Sequence, residues 1–239
     1  MNPVARGDLV VRLTSARGLR AQTVYLAVCS AFLLLSLPPE IGRLDLRDAN
    51  LLLAVLAVQI VAVTYLSSAM ASSELAIEGE KGLPDLALSA FSPGVIALGK
   101  MLSSALYAGY LLAIGLPIFM LGAALRGAPL APIAWTTFLS LAVATSAGVW
   151  GAWFGGRFAS DFTRSVMHWL FLGIILGGTA LLPETWWPAN PFRATIVLIR
   201  DGWTPWWLAT AAVYLGLAGV GTVLVGRFIT FARSHEGGV

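Results

Sequence analysis

Apolar positions along this chain gather into six long runs separated by short polar stretches, at about 22–38, 51–71, 95–122, 133–156, 165–182 and 206–229. Crossing the hydrocarbon core of a bilayer takes roughly 20 apolar residues in helical form. The pattern therefore predicts six transmembrane helices. The first run is the weakest, because it is short and closes on Pro38-Pro39. It reads as a retained span and not as a cleaved signal peptide: "LLLSLPPE" offers no small-x-small cleavage site, and the basic lead-in is long.

Two further segments carry helical patterns too short to cross. In 8–20, Leu9, Val10, Leu13 and Ala16 share one helical face, while Arg12, Arg17 and Arg20 lie mostly elsewhere. This predicts an amphipathic helix within 1–21 that lies on the membrane surface; a basic lead without fixed structure is the alternative. In the loop 183–205, Trp186, Trp187, Trp203, Trp206 and Trp207 suit headgroup depth. Between them "FRATIVLIR" is expected to form an interfacial or re-entrant helix.

Composition sharpens the class. Mean hydropathy is +0.82, with 58% hydrophobic and 11% charged residues. The expected fold is all-α and polytopic, a single transmembrane domain over 1–239 with no separate soluble domain. Ten of the 15 Lys and Arg fall on one side of the expected topology and five on the other. The first side holds the amino-terminal lead, Lys81, Lys100, Arg157, Arg164 and the tail, so both termini are expected to be cytoplasmic, in a cell (inner) membrane. The pI near 9.4 needs no nucleic acid to explain it, since this bias and anionic lipid suffice. Cys29 is the only cysteine, which excludes internal disulfides and cysteine-cluster metal sites.

Polar and small residues within the runs are the next candidates. Gln59, Thr64 and Tyr65 in the second run either bond between helices or line a pathway. Ala144, Gly148, Gly151 and Gly155 have close-packing spacing within the fourth run. Gly173-x-x-x-Gly177 in the fifth is a second such stripe, suited either to internal packing or to a second copy of the chain.

The sharpest departure is the segment 72–94. Glu74, Glu78, Glu80 and Asp85 would cost roughly 2.5–3.5 kcal/mol each at the centre of a bilayer, so the segment lies outside it. Gly79 and Gly82 are expected to interrupt the helix, and Pro84 to open a new one. Asp85 suits that helix's positive end. Leu83, Leu86, Ala87, Ala90 and Phe91 then form one apolar stripe that stops at Ser92-Pro93. A helix of about two turns is unstable alone. It needs either the membrane surface or a basic protein partner to lie against.

The run from Glu74 through "EGEKGLPDLALS" to "FSPGVIALGK", ending at Lys100, resembles type-2 (ABC-2) ABC transporter permeases. That family carries an acidic residue, a G-x-x-x-x-L-x-L-S stretch and an S-P-x-x-x-x-x-G-K start to the third span. Asn190-Pro191-Phe192 looks like the family's outer-loop opening. The resemblance implies that 74–91 includes the coupling helix, docked on a separate cytoplasmic ABC ATPase. Glu74, Glu78, Glu80 and Asp85 would belong to its acidic part, and Leu83, Leu86 and Phe91 would fill an apolar notch. Lys100 would anchor the start of the third span. It also implies two permease copies or homologues, two ATPase subunits and alternating access; the apolar runs and the absence of a periplasmic-binding feature favour export of a hydrophobic or amphipathic substrate. No Gly-x-x-x-x-Gly-Lys-Ser/Thr phosphate loop occurs, so ATP and Mg are expected on the partner and no cofactor, metal or catalytic residue in this chain.

Other classes fit less well. A heme- or cytochrome-assembly permease, or an ATPase-linked membrane anchor, would share the same surface logic. A secondary transporter or channel usually keeps ionisable residues inside the membrane, and the central parts of these runs hold none. An intramembrane serine protease would draw on Ser146 and His168. Ser146 reads as a packing serine and His168 as an interfacial one.

Overall fold

A computed structural model of the protein describes residues 2–35, 49–87, 91–124, 130–158, 160–181, 183, 189–200 and 205–236. Among these the chain is all-α, with eight α-helices: α1 (Pro3–Thr14), α2 (Ala16–Leu35), α3 (Ala49–Ala87), α4 (Pro93–Ala124), α5 (Leu130–Arg157), α6 (Asp161–Leu172), α7 (Pro191–Arg200) and α8 (Pro205–Glu236). Four are long and apolar enough to cross a membrane, over Leu56–Ala76, Pro93–Leu121, Ile133–Arg157 and Pro205–Ala232. These are the second, third, fourth and sixth expected spans. The other two are helical, but their described residues alone do not reach that standard. The first turns of α2 carry Arg17, Arg20 and Gln22. α6 opens with Asp161 and Arg164, then passes at Gly173 into a π turn (Gly173–Gly177) and a 3₁₀ turn (Gly178–Leu181).

α3 and α5 make the most extensive helix pair. The reason is written into α5. A Cβ added at Gly151 would run into the Ser68 carbonyl of α3, and one at Gly155 into the Ser72 carbonyl. One at Gly148 would stand 2.7 Å from the Ser104 side chain and 2.8 Å from Ser67 Oγ. The expected packing stripe of the fourth run thus lies inside the bundle, where glycine lets two backbones touch. Around this seam Leu139, Val143, Ala147 and Tyr214 form one buried cluster, and Leu75, Ile96, Val149 and Val225 another. Tyr25, Tyr107 and Leu111 join α2 to α4. The outer faces stay apolar: Leu98 and Leu102 on α4, and Val220 and Val223 on α8, are exposed, as a bilayer-facing surface should be.

Three expectations are corrected. The amino-terminal helix is not one element over 8–20. α1 starts at Pro3, capped by Asn2, whose Oδ1 accepts from the Val4 N–H at 2.9 Å. It stops at Ser15, whose extended backbone (ψ 149°) reverses the chain into α2. Ser15 Oγ accepts from the Gly18 N–H at 3.0 Å, and any Cβ at Gly18 would collide with the Arg12 carbonyl. Second, Arg12 does not sit on an outward polar face: it is fully buried, whereas Val10 and Val11 are more than half exposed. Third, no break occurs at Gly79, Gly82 or Pro84. α3 continues as one 39-residue helix to Ala87. Pro84 falls in its last turn and forfeits a single backbone bond, to the Glu80 carbonyl, which limits its penalty. A separate coupling helix over 83–91 is therefore not observed up to Ala87; residues 88–90 lie outside the described residues.

At the far end from α1, the loop helix expected over 192–200 is present as α7. Asn190 Oδ1 accepts from the Arg193 N–H at 2.9 Å and Pro191 takes the first helical position. The same Asn donates through Nδ2 to Thr179 Oγ1 at 3.0 Å. The π turn frees backbone carbonyls that an α-helix would occupy. Tyr214 Oη lies 3.0 Å from the Ile175 carbonyl and 2.9 Å from that of Ala189, so these groups find side-chain partners.

Candidate coupling site

Asp8 and Arg12 stand four residues apart on α1 and so share one face. That face is turned into the bundle. Arg12 forks onto Glu74 of α3, with Nε 2.8 Å from Oε1 and Nη2 2.7 Å from Oε2. This two-bond geometry is the strongest arrangement open to an arginine and a carboxylate. The guanidinium also lies 5.6 Å from the Tyr107 ring centroid. Gln22 of α2 locks the backbone behind it, its Nε2 3.4 Å from the Arg12 carbonyl and its Oε1 accepting from Tyr110 Oη at 3.2 Å. Arg12 Nη1 is buried with no partner among the described residues.

One turn earlier on α1, Asp8 receives the first turns of α4. Lys100 Nζ lies 3.1 Å from Asp8 Oδ1, and Ser103 Oγ 3.3 Å from Oδ2. Lys100 is only 2% exposed. α1 is thus a strap that ties the polar end of α3 to the start of α4 through two opposite-charge pairs. For pairs removed from water, desolvation offsets much of the attraction, but leaving one member alone costs about 3–5 kcal/mol.

The expected site residues fall out as follows. Glu74 finds its basic partner inside the chain, in Arg12. Lys100, at the start of α4, pairs with Asp8 of α1. Glu78, Glu80, Leu83, Asp85 and Leu86 lie on the last turns of α3, with their side chains outside the described residues. Phe91, at the start of the next described stretch, is 42% exposed. Gln59 is buried and its Nε2 reaches Tyr25 Oη at 3.5 Å. Thr64 is buried, and Tyr65 stacks on Trp169 with centroids 4.9 Å apart. Gln59 therefore faces α2 and Tyr65 faces α6. Among the described residues, Gly173 and Gly177 have open space where a Cβ would project.

The sequence reading missed Asp8 and misplaced Arg12. One signal was available: an Asp and an Arg at i and i+4 on a helix with few other charges. Their partners lie 92 and 62 residues away, beyond the reach of any periodicity. Compared with protein-family models and with curated proteins, the chain matches none.

Proposed function

We propose that the chain is the membrane-spanning permease subunit of an ATP-driven ABC transporter of the type-2 class, coupled to a separate cytoplasmic ATPase. In this reading α2 and the run from α6 through the 3₁₀ turn join the four apolar helices as six spans, with both termini cytoplasmic. The substrate is a hydrophobic or amphipathic molecule, moved outward by alternating access. Two copies pair through the open Gly173–Gly177 face.

The observation that carries this reading is the continuity of α3. One helix runs from the apolar bundle into the acidic segment, and its base at Glu74 is strapped to α4 by α1. A force applied near Glu78 and Glu80 reaches the seam with α5 without passing through a hinge. Differential binding of a partner to two positions of such a lever shifts the equilibrium between them.

The test is co-purification of the tagged chain from native membranes in mild detergent, followed by ATP hydrolysis on the eluate. Glu78→Lys with Glu80→Lys is the informative variant, since Glu74 is committed to Arg12. The proposal expects a stoichiometric ATPase with the parent chain and its loss with the variant. An eluate free of ATPase, or one that the variant leaves unchanged, sinks it.

A further inference from the structure

Between α2, α3 and α6 lies a partly open cavity of about 300 Å³, large enough for a small ligand group. Its walls are unlike the rest of this apolar bundle. Arg17 reaches it from α2, Ser72 from α3, and Arg164, His168 and Trp169 from α6. Arg17 pairs with no carboxylate among the described residues. Arg164 is held by Asp161, one turn back on α6, whose own side chain is 92% exposed. The cavity thus carries two guanidinium groups and one carboxylate, a net positive balance.

His168 is the built element. It is only 6% exposed, and Ser68 Oγ stands 3.3 Å from its Nδ1. The ring is clamped against Tyr65, edge-on with centroids 5.5 Å apart. Nε2 has no partner among the described residues. A phosphate oxygen beside Nε2 selects the tautomer in which the Ser68 hydroxyl donates to Nδ1 and the ring proton sits on Nε2. A buried donor left unsatisfied costs about 1–3 kcal/mol, so the site favours an acceptor oxygen there. Two guanidinium groups and one imidazole N–H are the donor set that suits a phosphate.

The surroundings say what the phosphate is attached to. On α6, Phe162 (77% exposed), Val166 (44%) and Trp169 (59%) follow at i, i+4 and i+7 along one face beside the cavity. On α2, Leu19 (51%) and Val24 (58%) are bare as well. Hydrocarbon chains can lie along these faces while the headgroup stays within reach of Arg17 and His168.

We infer that the cavity bounded by Arg17, Arg164 and His168 binds a phosphate-ester headgroup, presented by an anionic amphiphile in the membrane. This goes beyond the transport reading and does not depend on it, because no ATPase enters the site or its test.

The experiment is equilibrium binding of fluorescent phosphatidylglycerol to the full chain in neutral detergent, with unlabelled competitors. Phosphatidylglycerol is expected to displace the probe and phosphatidylcholine to do so poorly. Arg17→Met and His168→Phe each remove one donor and should weaken binding about tenfold. Arg17 is exposed, so its variant keeps the fold, and thermal unfolding of both variants checks that directly. Displacement by millimolar glycerol 3-phosphate as effective as that by the lipid keeps the phosphate site and assigns its source to a soluble ester. Equal competition by phosphatidylcholine, or unchanged affinity in both variants at parental stability, overturns the proposal.

Discussion

Two glycine-rich stretches of this chain share a spacing and differ in fate. Gly148, Gly151 and Gly155 of α5 lie against the carbonyls and side chains of α3 and α4, with no room for a single added carbon. Gly173 and Gly177, in the π turn after α6, have no described residue within 4 Å of where a Cβ would project. Spacing alone marks a helix on which another surface can approach closely. Whether the chain itself supplies that surface depends on what stands opposite. Opposite α5, the α3 serines at 67, 68 and 72 are themselves small, so two backbones meet. Opposite Gly173 and Gly177 no described residue comes within 4 Å, although Ile175 and Leu176 of the same turn pack into the bundle.

The strongest way to break this contrast is to fill the seam. Gly148→Leu with Gly151→Leu forces eight heavy atoms between α3 and α5. At about 2–3 kcal/mol per overpacked site, the pair should remove roughly 5 kcal/mol. That approaches the whole stability of many domains, so little folded protein should accumulate. Cys29 is buried in α2 against α3 and α4, and its thiol labelling on heating reports the unfolding. A melting curve unchanged by both leucines means the helices are not in backbone contact.

The next test works at the polar end of the same seam. Glu74→Ala leaves Arg12 buried without a counter-charge and should cost about 3 kcal/mol. Arg12→Met together with Glu74→Ala removes both charges and should recover most of that loss. Strong coupling in this double-mutant cycle is expected. Additive losses mean that Arg12 and Glu74 do not act as a pair.

What was legible in the chain divides along the same line. The four apolar helices could be read directly because hydrocarbon demands uninterrupted runs, and nothing tertiary is needed to see them. The α7 cap could be read for a similar reason: Asn190 and Pro191 act on their own next turn. The strap could not. Asp8 and Arg12 make sense only beside Lys100 and Glu74, and a helix that lies on its own protein buries a different face from one that lies on lipid. The continuity of α3 past Gly79 and Gly82 was equally hidden. Glycine weakens a helix by only about 1 kcal/mol per site, a preference that surrounding helix readily overrides.

A smaller effect is expected at the end away from α1. Asn190→Ala removes the α7 cap and the link to Thr179, costing about 1 kcal/mol. The loss should be local. Hydrogen exchange ought to quicken in 191–200 while the amides of the α3–α5 seam keep their protection. Equal loosening of both regions means that α7 is integral to the bundle's cooperative unit.

The smallest effect on the single chain sharpens the contrast most. Gly173→Leu with Gly177→Leu adds the same eight heavy atoms as the seam variant, but into open space. The change in melting should stay within about 0.5 kcal/mol, as at surface sites without special contacts. Removing two glycines from a helical run even offsets part of any loss. The proposed pairing of two copies predicts a second readout. Cross-linking or native mass spectrometry should find the parent chain paired and this variant single, at equal thermal stability. Pairs that survive both leucines place the contact between copies elsewhere. Melting lowered as far as by the seam variant means that the open face is covered within one chain, and the two stretches are then alike after all.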